Sequence, residues 1–313
     1  MRYRILGNSQ MRVSVIGLGG NNFGWWSDRE TSAKVVHRAL ELGVNFIDTA
    51  DMYDDGRSED FIGSALKGMR QEVFLATKFG AKFRSDPTYG GASRRHIMRA
   101  VEASLQRLQT DYLDLYQVHL PDPETPLAET LMALNELVQS GKVRYIGCSN
   151  FPAALLEESL STSRGHRLPD FISLQARYNL LERDVEKEVI PACRRHEINF
   201  MPWGPLAGGF LTGKYRSDQA SPQEGRLSKS MPLYDYLITE SNQAILAKLL
   251  VYAEKNGRTL AELAMAWLLS NDAIATVIPG ARVPEQVDLN VKAASWQLGP
   301  EERDEIGQIL LGT

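Results

Sequence analysis

The sequence is poor in the features that mark several large protein classes. Only two cysteines, Cys148 and Cys193, occur in 313 residues, too few for a disulfide framework. No apolar run approaches the ~18 residues that a membrane span needs. Positive charge is not in excess: Lys+Arg 35 against Asp+Glu 39 leaves −4, with a pI near 5.8. That balance excludes a surface that is basic throughout and made for nucleic acid, but it does not exclude a local basic site. The start, Arg2-Tyr3-Arg4, does not read as a secretory leader. Inter-domain linkers and low-complexity segments are also missing. The expectation is a soluble cytoplasmic protein with neither nucleic acid nor membrane as partner. Its oligomeric state is not legible.

What is present is an ordinary globular composition, 43% hydrophobic and 24% charged. Length alone suggests about two domains, yet single α/β barrels routinely reach ~250 residues or more. Short apolar runs read as strands at Val13–Leu18, Asn45–Asp48, Val73–Thr77, Leu113–Val118, Val143–Gly147, Phe171–Gln175, Asn199–Pro202 and Ala275–Ile278. Amphipathic helix patterns lie between them, one with Leu127, Leu131, Leu134 and Leu137 on one face. Asp28 and Pro126 mark helix starts, and Gly43 and Gly141 follow helix ends. Strands that alternate with helices pair in parallel through right-handed crossovers, and eight of them close a (β/α)8 barrel.

The strand ends Ile16, Asp48, Lys78, His119, Ser149, Gln175, Trp203 and Pro279 are separated by 32, 30, 41, 30, 26, 28 and 76 residues. Six gaps match one βα unit. The last contains a Gly/Pro/Ser-rich insertion, 204–232, and helical stretches at Thr239–Lys255 and Leu260–Leu269. An N-terminal hairpin, Tyr3–Leu6 against Val13–Val15, would close the barrel bottom, and a helix at Pro300–Leu310 ends the chain. The expected organisation is one barrel domain over 1–313.

In such a barrel the active site lies at the C-terminal strand ends. There the sequence offers an acid (Asp48), an amine (Lys78), an imidazole (His119), Ser149-Asn150, an amide (Gln175) and an indole (Trp203), where packing alone would favour apolar residues. Asp48 with Tyr53 five residues on, then Lys78 and His119, each at a strand end, resembles the tetrad of the aldo-keto reductase superfamily. Gly56-Arg-Ser58-Glu59, Gly147-Cys-Ser149-Asn150, the run from Gly204 to Lys214 and Ile278-Pro-Gly-Ala-Arg282 are also similar to family segments, so the resemblance covers nearly the whole chain.

The resemblance implies a (β/α)8 barrel that uses NADPH, less often NADH, to reduce aldehydes or ketones reversibly. An unperturbed phenol sits near pKa ~10, and a nearby ammonium lowers it, so Tyr53 is the candidate proton donor and Lys78 its activator. Asp48 would hold Lys78, and His119 would orient the carbonyl oxygen. The resemblance further implies that Ser149, Asn150 and Gln175 hold the nicotinamide carboxamide and that Trp203 stacks on its ring. Gly204, Pro205, Leu206, Gly208 and Lys214 would meet the pyrophosphate. Gly280 and Arg282 would bind the 2′-phosphate, which favours NADP, and Gln286 and Asn290 would face the adenosine. A small-molecule substrate would contact Trp25, Trp26 and Phe83, in an aromatic wall shared with Asn22, Phe23, Tyr89, Tyr234 and Tyr236; Arg84 or Arg216 would suit an anionic substrate.

Other motifs are weaker. The run Gly208–Lys214 fits a phosphate-loop pattern, but Tyr215 stands where Ser or Thr would bind Mg²⁺. Gly17-Leu-Gly19-Gly lacks the third glycine of the dinucleotide fingerprint. Asp51, Asp54 and Asp55 read as a solvated loop rather than a metal site. Two other functions remain open. One is a redox-sensing NADPH-binding module such as a channel-associated subunit. The other is an aldolase with Lys78 as Schiff-base nucleophile.

Overall fold

The computed structural model describes residues 1–83, 85–86, 88–215 and 236–311. Arg84, Arg216, Tyr234 and most of the expected insertion lie outside them. Two short strands, β1 (Tyr3–Ile5) and β2 (Arg12–Ser14), form an antiparallel hairpin. Seven strands then pair in parallel and in chain order: β3 (Leu18–Gly19), β4 (Phe46–Asp48), β5 (Phe74–Phe79), β6 (Leu113–Val118), β7 (Val143–Ser149), β8 (Ser173–Arg177) and β9 (Asn199–Trp203). The segment from Ile274 to Gly280 closes the ring. It bridges Phe200 and Trp203 on one side and Ile16 and Gly19 on the other, all in parallel. The result is a (β/α)8 barrel.

Two strand expectations change. Val13–Leu18 is not one strand: its first half belongs to the hairpin and its second to the barrel, because the chain turns the corner between them. Ala275–Ile278 lies in place as the eighth strand but joins through isolated bridges rather than a continuous ladder.

The outer ring comprises α1 (Arg29–Glu41), α2 (Arg57–Ala65), α3 (Arg94–Leu108), α4 (Leu127–Gln139), α5 (Ala153–His166) and α6 (Val189–Arg195), then α7 (Glu240–Lys255), α8 (Leu260–Leu269) and α9 (Pro284–Lys292). α10 (Pro300–Leu310) follows. The Asp28 carboxylate caps α1 by accepting from the Thr31 N–H at 2.8 Å. Pro126 sits one place ahead of its helix, at the N-cap. No helix among the described residues is long and apolar enough to cross a membrane.

The barrel interior explains where the site lies. Side chains alternate across a strand, so every second residue points inward. Near the bottom these are apolar: Phe46, Ala76, Leu115 and Met201, sealed by Leu6, Met11 and Val13 of the hairpin. Two residues further along β4, β5 and β6 the same inward face carries Asp48, Lys78 and Gln117, all buried. The interior thus switches from apolar to polar within one step of each strand.

The hairpin plug is held by Asn199. Its Oδ1 accepts from the Gly7 N–H at 2.6 Å, and its Nδ2 donates to the Ala273 carbonyl at 3.0 Å, joining hairpin, β9 and the eighth strand. Asn199→Ala strands the Gly7 N–H, while the Ala273 carbonyl keeps the Phe200 N–H at 2.8 Å, and should lower stability by about 1–3 kcal/mol, read as a lower urea midpoint with unchanged m-value.

Candidate active site

At the centre of the upper barrel lies Lys78, with no exposure to solvent. Its Nζ donates to Asp48 Oδ2 at 2.5 Å and to the Thr49 carbonyl at 2.8 Å. Burial works against the ammonium, but the Asp48 carboxylate and the Tyr53 phenol outweigh it and hold the Lys78 pKa above its ordinary range. Lys78 therefore stays protonated. It hydrogen-bonds Tyr53, and its Nζ lies 5.2 Å from the centre of that ring. The His119 imidazole meets Tyr53 edge-on, with centroids 5.8 Å apart. Asp48, Tyr53, Lys78 and His119 thus converge from β4, the loop after it, β5 and the end of β6.

His119 is held neutral. Burial, reinforced by the Lys78 charge, pushes its pKa down to about 3. Its Nδ1 is buried with no hydrogen-bond partner among the described residues. A neutral imidazole carries one N–H donor and adds no charge, which suits orienting a carbonyl oxygen beside a proton-donating phenol.

The turn after Tyr53 sets the loops above it. Asp54, Asp55 and Gly56 are consecutive left-handed residues, with φ of 51°, 52° and 92°. This turn presses the buried Asp54 against Gly24, where a Cβ would fall 2.2 Å from Asp54 Oδ2. The glycine lets the loop after β3 approach, and Trp25 reaches over Tyr53 with centroids 6.3 Å apart. Asp54 is thus buried and paired with Arg57, and Asp51 is fully buried, so neither belongs to the solvated loop expected from sequence. No metal-binding cluster exists among the described residues.

The strand ends beyond the tetrad form a connected amide network. Asn150, left-handed at φ 60°, donates through Nδ2 to the His119 carbonyl and to Ser149 Oγ, both at 3.0 Å, and accepts from Trp203 Nε1 at 3.1 Å. Arg177 lies over the Trp203 ring, 4.6 Å from a centroid, so one indole face is covered. Gln175 Nε2 donates to Asp48 Oδ1 at 2.9 Å. One of its two N–H donors is therefore committed to the acid, and its other N–H and its oxygen are left for the carboxamide role expected from sequence.

A second polar region surrounds the loop after β9 and the start of α9. Left-handed residues recur at Gly204, Ala207, Gly208, Gly209 and Gly213, and the loop winds through tight turns in which the Ala207, Gly209 and Gly213 N–H groups donate to the Gly204, Leu206 and Phe210 carbonyls. Pro205 is buried in this loop and Leu206 half-buried. A Cβ on Gly209 would lie 3.3 Å from Lys214 Nζ, so the ammonium folds back over the Gly209 turn. Gly280 and Arg282 precede α9, whose N-terminus favours anions. The Arg282 guanidinium stacks on Trp26, 3.9 Å from the ring centre. Gln286 Oε1 accepts from the Arg282 N–H at 2.7 Å, and the buried Asn290 donates to the Gly280 carbonyl at 3.4 Å. Both brace this loop through one end of their amides. The two tryptophans also part company: Trp25 faces Tyr53, whereas Trp26 belongs with Arg282. Phe83 packs on Tyr89 at 4.0 Å, in the loop after β5.

Sequence reasoning missed Gln117, whose Nε2 donates to Asp48 Oδ1 at 3.0 Å. The signal was a buried amide two residues before His119, on the same face of β6.

A (β/α)8 barrel with a buried acid and amine beside a half-buried phenol and imidazole at its strand ends defines an enzyme-type site. The Aldo/keto reductase family model matches residues 15–310, and the chain belongs to that family of oxidoreductases. It is 34% identical to the aldo-keto reductase YhdN of Bacillus subtilis, over all of this chain and 95% of that one. It is 36% identical to a Schizosaccharomyces pombe protein provisionally named a voltage-gated potassium channel subunit beta, over 98% of this chain and 93% of that one. The structure resembles the holo form of aldo-keto reductase AKR11C1 from Bacillus halodurans, with TM-score 0.82, 34% identity, and 99% and 96% of the two chains covered.

The His119 shift has a consequence for stability. Between pH 6.5 and about 3 the unfolded chain binds a proton here that the folded chain does not, so this site lowers stability as pH falls through that window. His119→Gln should flatten the decline in urea midpoint between pH 7 and 4. An unchanged profile would mean the imidazole is not desolvated.

Proposed function

We propose that the protein is an NADPH-dependent carbonyl reductase, acting reversibly on aldehydes or ketones, with Tyr53 as general acid in reduction and general base in alcohol oxidation. The observation that carries this reading is the fully buried Lys78 ammonium, fixed by Asp48 at 2.5 Å and bonded to Tyr53. A cation there stabilises phenolate relative to phenol, which eases proton transfer from Tyr53 to a developing alkoxide. The neutral His119 N–H orients the carbonyl oxygen toward Tyr53. NADPH, when bound, supplies the hydride that the carbonyl carbon receives. Ser149, Asn150, the oxygen of Gln175 and the uncovered face of Trp203 would seat the nicotinamide. The 204–214 loop with Lys214 would take the pyrophosphate, and Gly280 and Arg282 the 2′-phosphate, with Gln286 and Asn290 bracing them.

The donor set fits this cofactor: two cations and a glycine-rich loop for phosphates, uncharged amides for a carboxamide. Trp25 and Phe83 would bound the substrate pocket, and Trp26 would act on the cofactor side through Arg282. The same residues argue against a Schiff-base aldolase, because a lysine held protonated and fully buried is not a nucleophile. The 36% identity to a protein provisionally named a channel subunit keeps one second reading, an NADPH-binding module that signals cofactor redox state. Tight NADPH binding with no turnover across aldoses, aromatic aldehydes, dicarbonyls and ketosteroids would favour it.

Tyr53→Phe should reduce NADPH-dependent turnover by about 10²-fold or more while leaving NADPH quenching of tryptophan fluorescence intact. Full activity would remove Tyr53 from the chemistry. Arg282→Ala should weaken NADPH binding by about 10–100-fold and NADH binding far less, the difference expected for losing charged hydrogen bonds to one phosphate. Equal losses for both cofactors in fluorescence titrations would mean that Arg282 does not contact the 2′-phosphate.

A further inference from the structure

We propose that Gln117 is a positioning residue for the proton-transfer machinery, acting through Asp48; the inference deepens the reductase reading and rests on its assignment of Tyr53. Asp48 has two carboxylate oxygens and they are used differently. Oδ2 accepts from Lys78. Oδ1 accepts from two side-chain amides, Gln117 Nε2 at 3.0 Å and Gln175 Nε2 at 2.9 Å. The amides arrive from β6 and β8, the lysine from β5, so the carboxylate is gripped from three strands and its rotation is fixed. With Oδ1 occupied, Oδ2 remains on Lys78, and Lys78 remains in reach of Tyr53.

Gln117 has little reason to be an amide otherwise. It is fully buried, and its own Oε1 has no hydrogen-bond partner among the described residues. An apolar side chain of similar size would avoid that orphaned oxygen. The stem is already accommodated as a packing element: Gln117 pairs with Gly147 on β7, where a Cβ would lie 3.3 Å from Gln117 Cγ. What an apolar replacement could not supply is the donor to Asp48. Gln175 is tied to the site at both ends, since its remaining oxygen faces the assigned cofactor role. Gln117 is the partner dedicated to the acid.

The charged and titratable groups around this point are Asp48 from β4, Asp51 from the loop after it, Lys78 from β5 and His119 from the end of β6. Among them only the Asp48–Lys78 pair is touched directly by Gln117. Removing its donor leaves more negative charge on Asp48 and frees the carboxylate to turn. Both effects weaken the field of Lys78 at Tyr53, so the phenol becomes harder to ionise.

The test compares wild type with Gln117→Leu, which keeps the bulk and removes the donor, and with Gln117→Glu, which keeps the shape and donates only when protonated. Tyr53 ionisation is followed in the cofactor-free protein by NMR of ¹³Cζ-labelled tyrosine, with the resonance assigned through Tyr53→Phe. The leucine variant should raise the Tyr53 midpoint by about half to one pH unit and lower kcat about tenfold, with NADPH affinity kept within about twofold. The glutamate variant, whose buried carboxyl beside Asp48 is pushed toward its protonated, donating form, should keep kcat near wild type while it holds that proton, and should lose kcat and show the same upward tyrosine shift once pH rises through its own midpoint. It carries the test alone if the leucine variant does not fold. A role in packing alone predicts that neither variant moves the tyrosine titration, and that outcome overturns the proposal. If the titration shifts but wild type turns over no carbonyl compound, the reductase reading fails and the positioning role stands.

Discussion

A lysine without solvent contact governs the upper half of this barrel. An ammonium removed from water must find its compensation within the fold, and an incompletely paired one destabilises strongly. Lys78 finds it in the Asp48 carboxylate and the Thr49 carbonyl. Asp48 then has its own oxygen to satisfy, and two glutamines from β6 and β8 do so. Buried ion pairs of this kind are weak evidence for stability but strong determinants of geometry. Here the geometry is the alignment of four strand ends, which follows from satisfying one charge. The apolar lower interior, plugged by the hairpin, supplies the rigid floor beneath it.

The same charge organises what surrounds it. It keeps the His119 ring neutral, adding to the effect of burial. It lies beside the Tyr53 phenol, which Trp25 covers from the loop after β3. Net charge of −4 requires that any polyanion be met locally. Lys78 does not serve that purpose, because Asp48 already neutralises it. The cations placed to act outward are Lys214, folded over the Gly209 backbone, and Arg282, set on Trp26 before α9. On the proposed reading the site separates an internal cation for proton chemistry from two others suited to phosphate.

Much of this was legible because it rests on period and position. The parallel order of strands follows from alternating βα units, and Asp48, Lys78 and His119 were found by asking what ends each strand. Partner choice was less legible. Gln175 was expected to face the nicotinamide, but a side-chain amide has two ends, and sequence does not say that one of its N–H donors is spent on Asp48. Gln117 escaped notice because the strand-end marker was His119, although both lie on one face of β6. Trp25 and Trp26 read as one aromatic wall, yet adjacent residues in a turn point to different neighbours. Gln286 and Asn290 have helical spacing that puts them on one face, but spacing does not say that each also hydrogen-bonds the loop it follows.

The buried carboxylates complete the account of why Lys78 can act on Tyr53. Asp51 is fully buried between the tetrad and α3, and neither of its oxygens has a hydrogen-bond partner among the described residues. Burial, then the nearby Glu59 charge, raises its pKa well above the ordinary carboxylate value, which favours its protonated form. Glu59 is itself matched by Arg107 Nε at 2.7 Å and by Thr77 Oγ1 at 2.6 Å. Two acid–cation pairs therefore balance, Asp48 with Lys78 inside the barrel and Glu59 with Arg107 outside it, and the third carboxyl is driven toward its neutral form. Were Asp51 ionised, a second anion would compete for the field of Lys78 and oppose phenolate formation at Tyr53. Its neutral form leaves that field directed by Asp48 and its two amide donors alone.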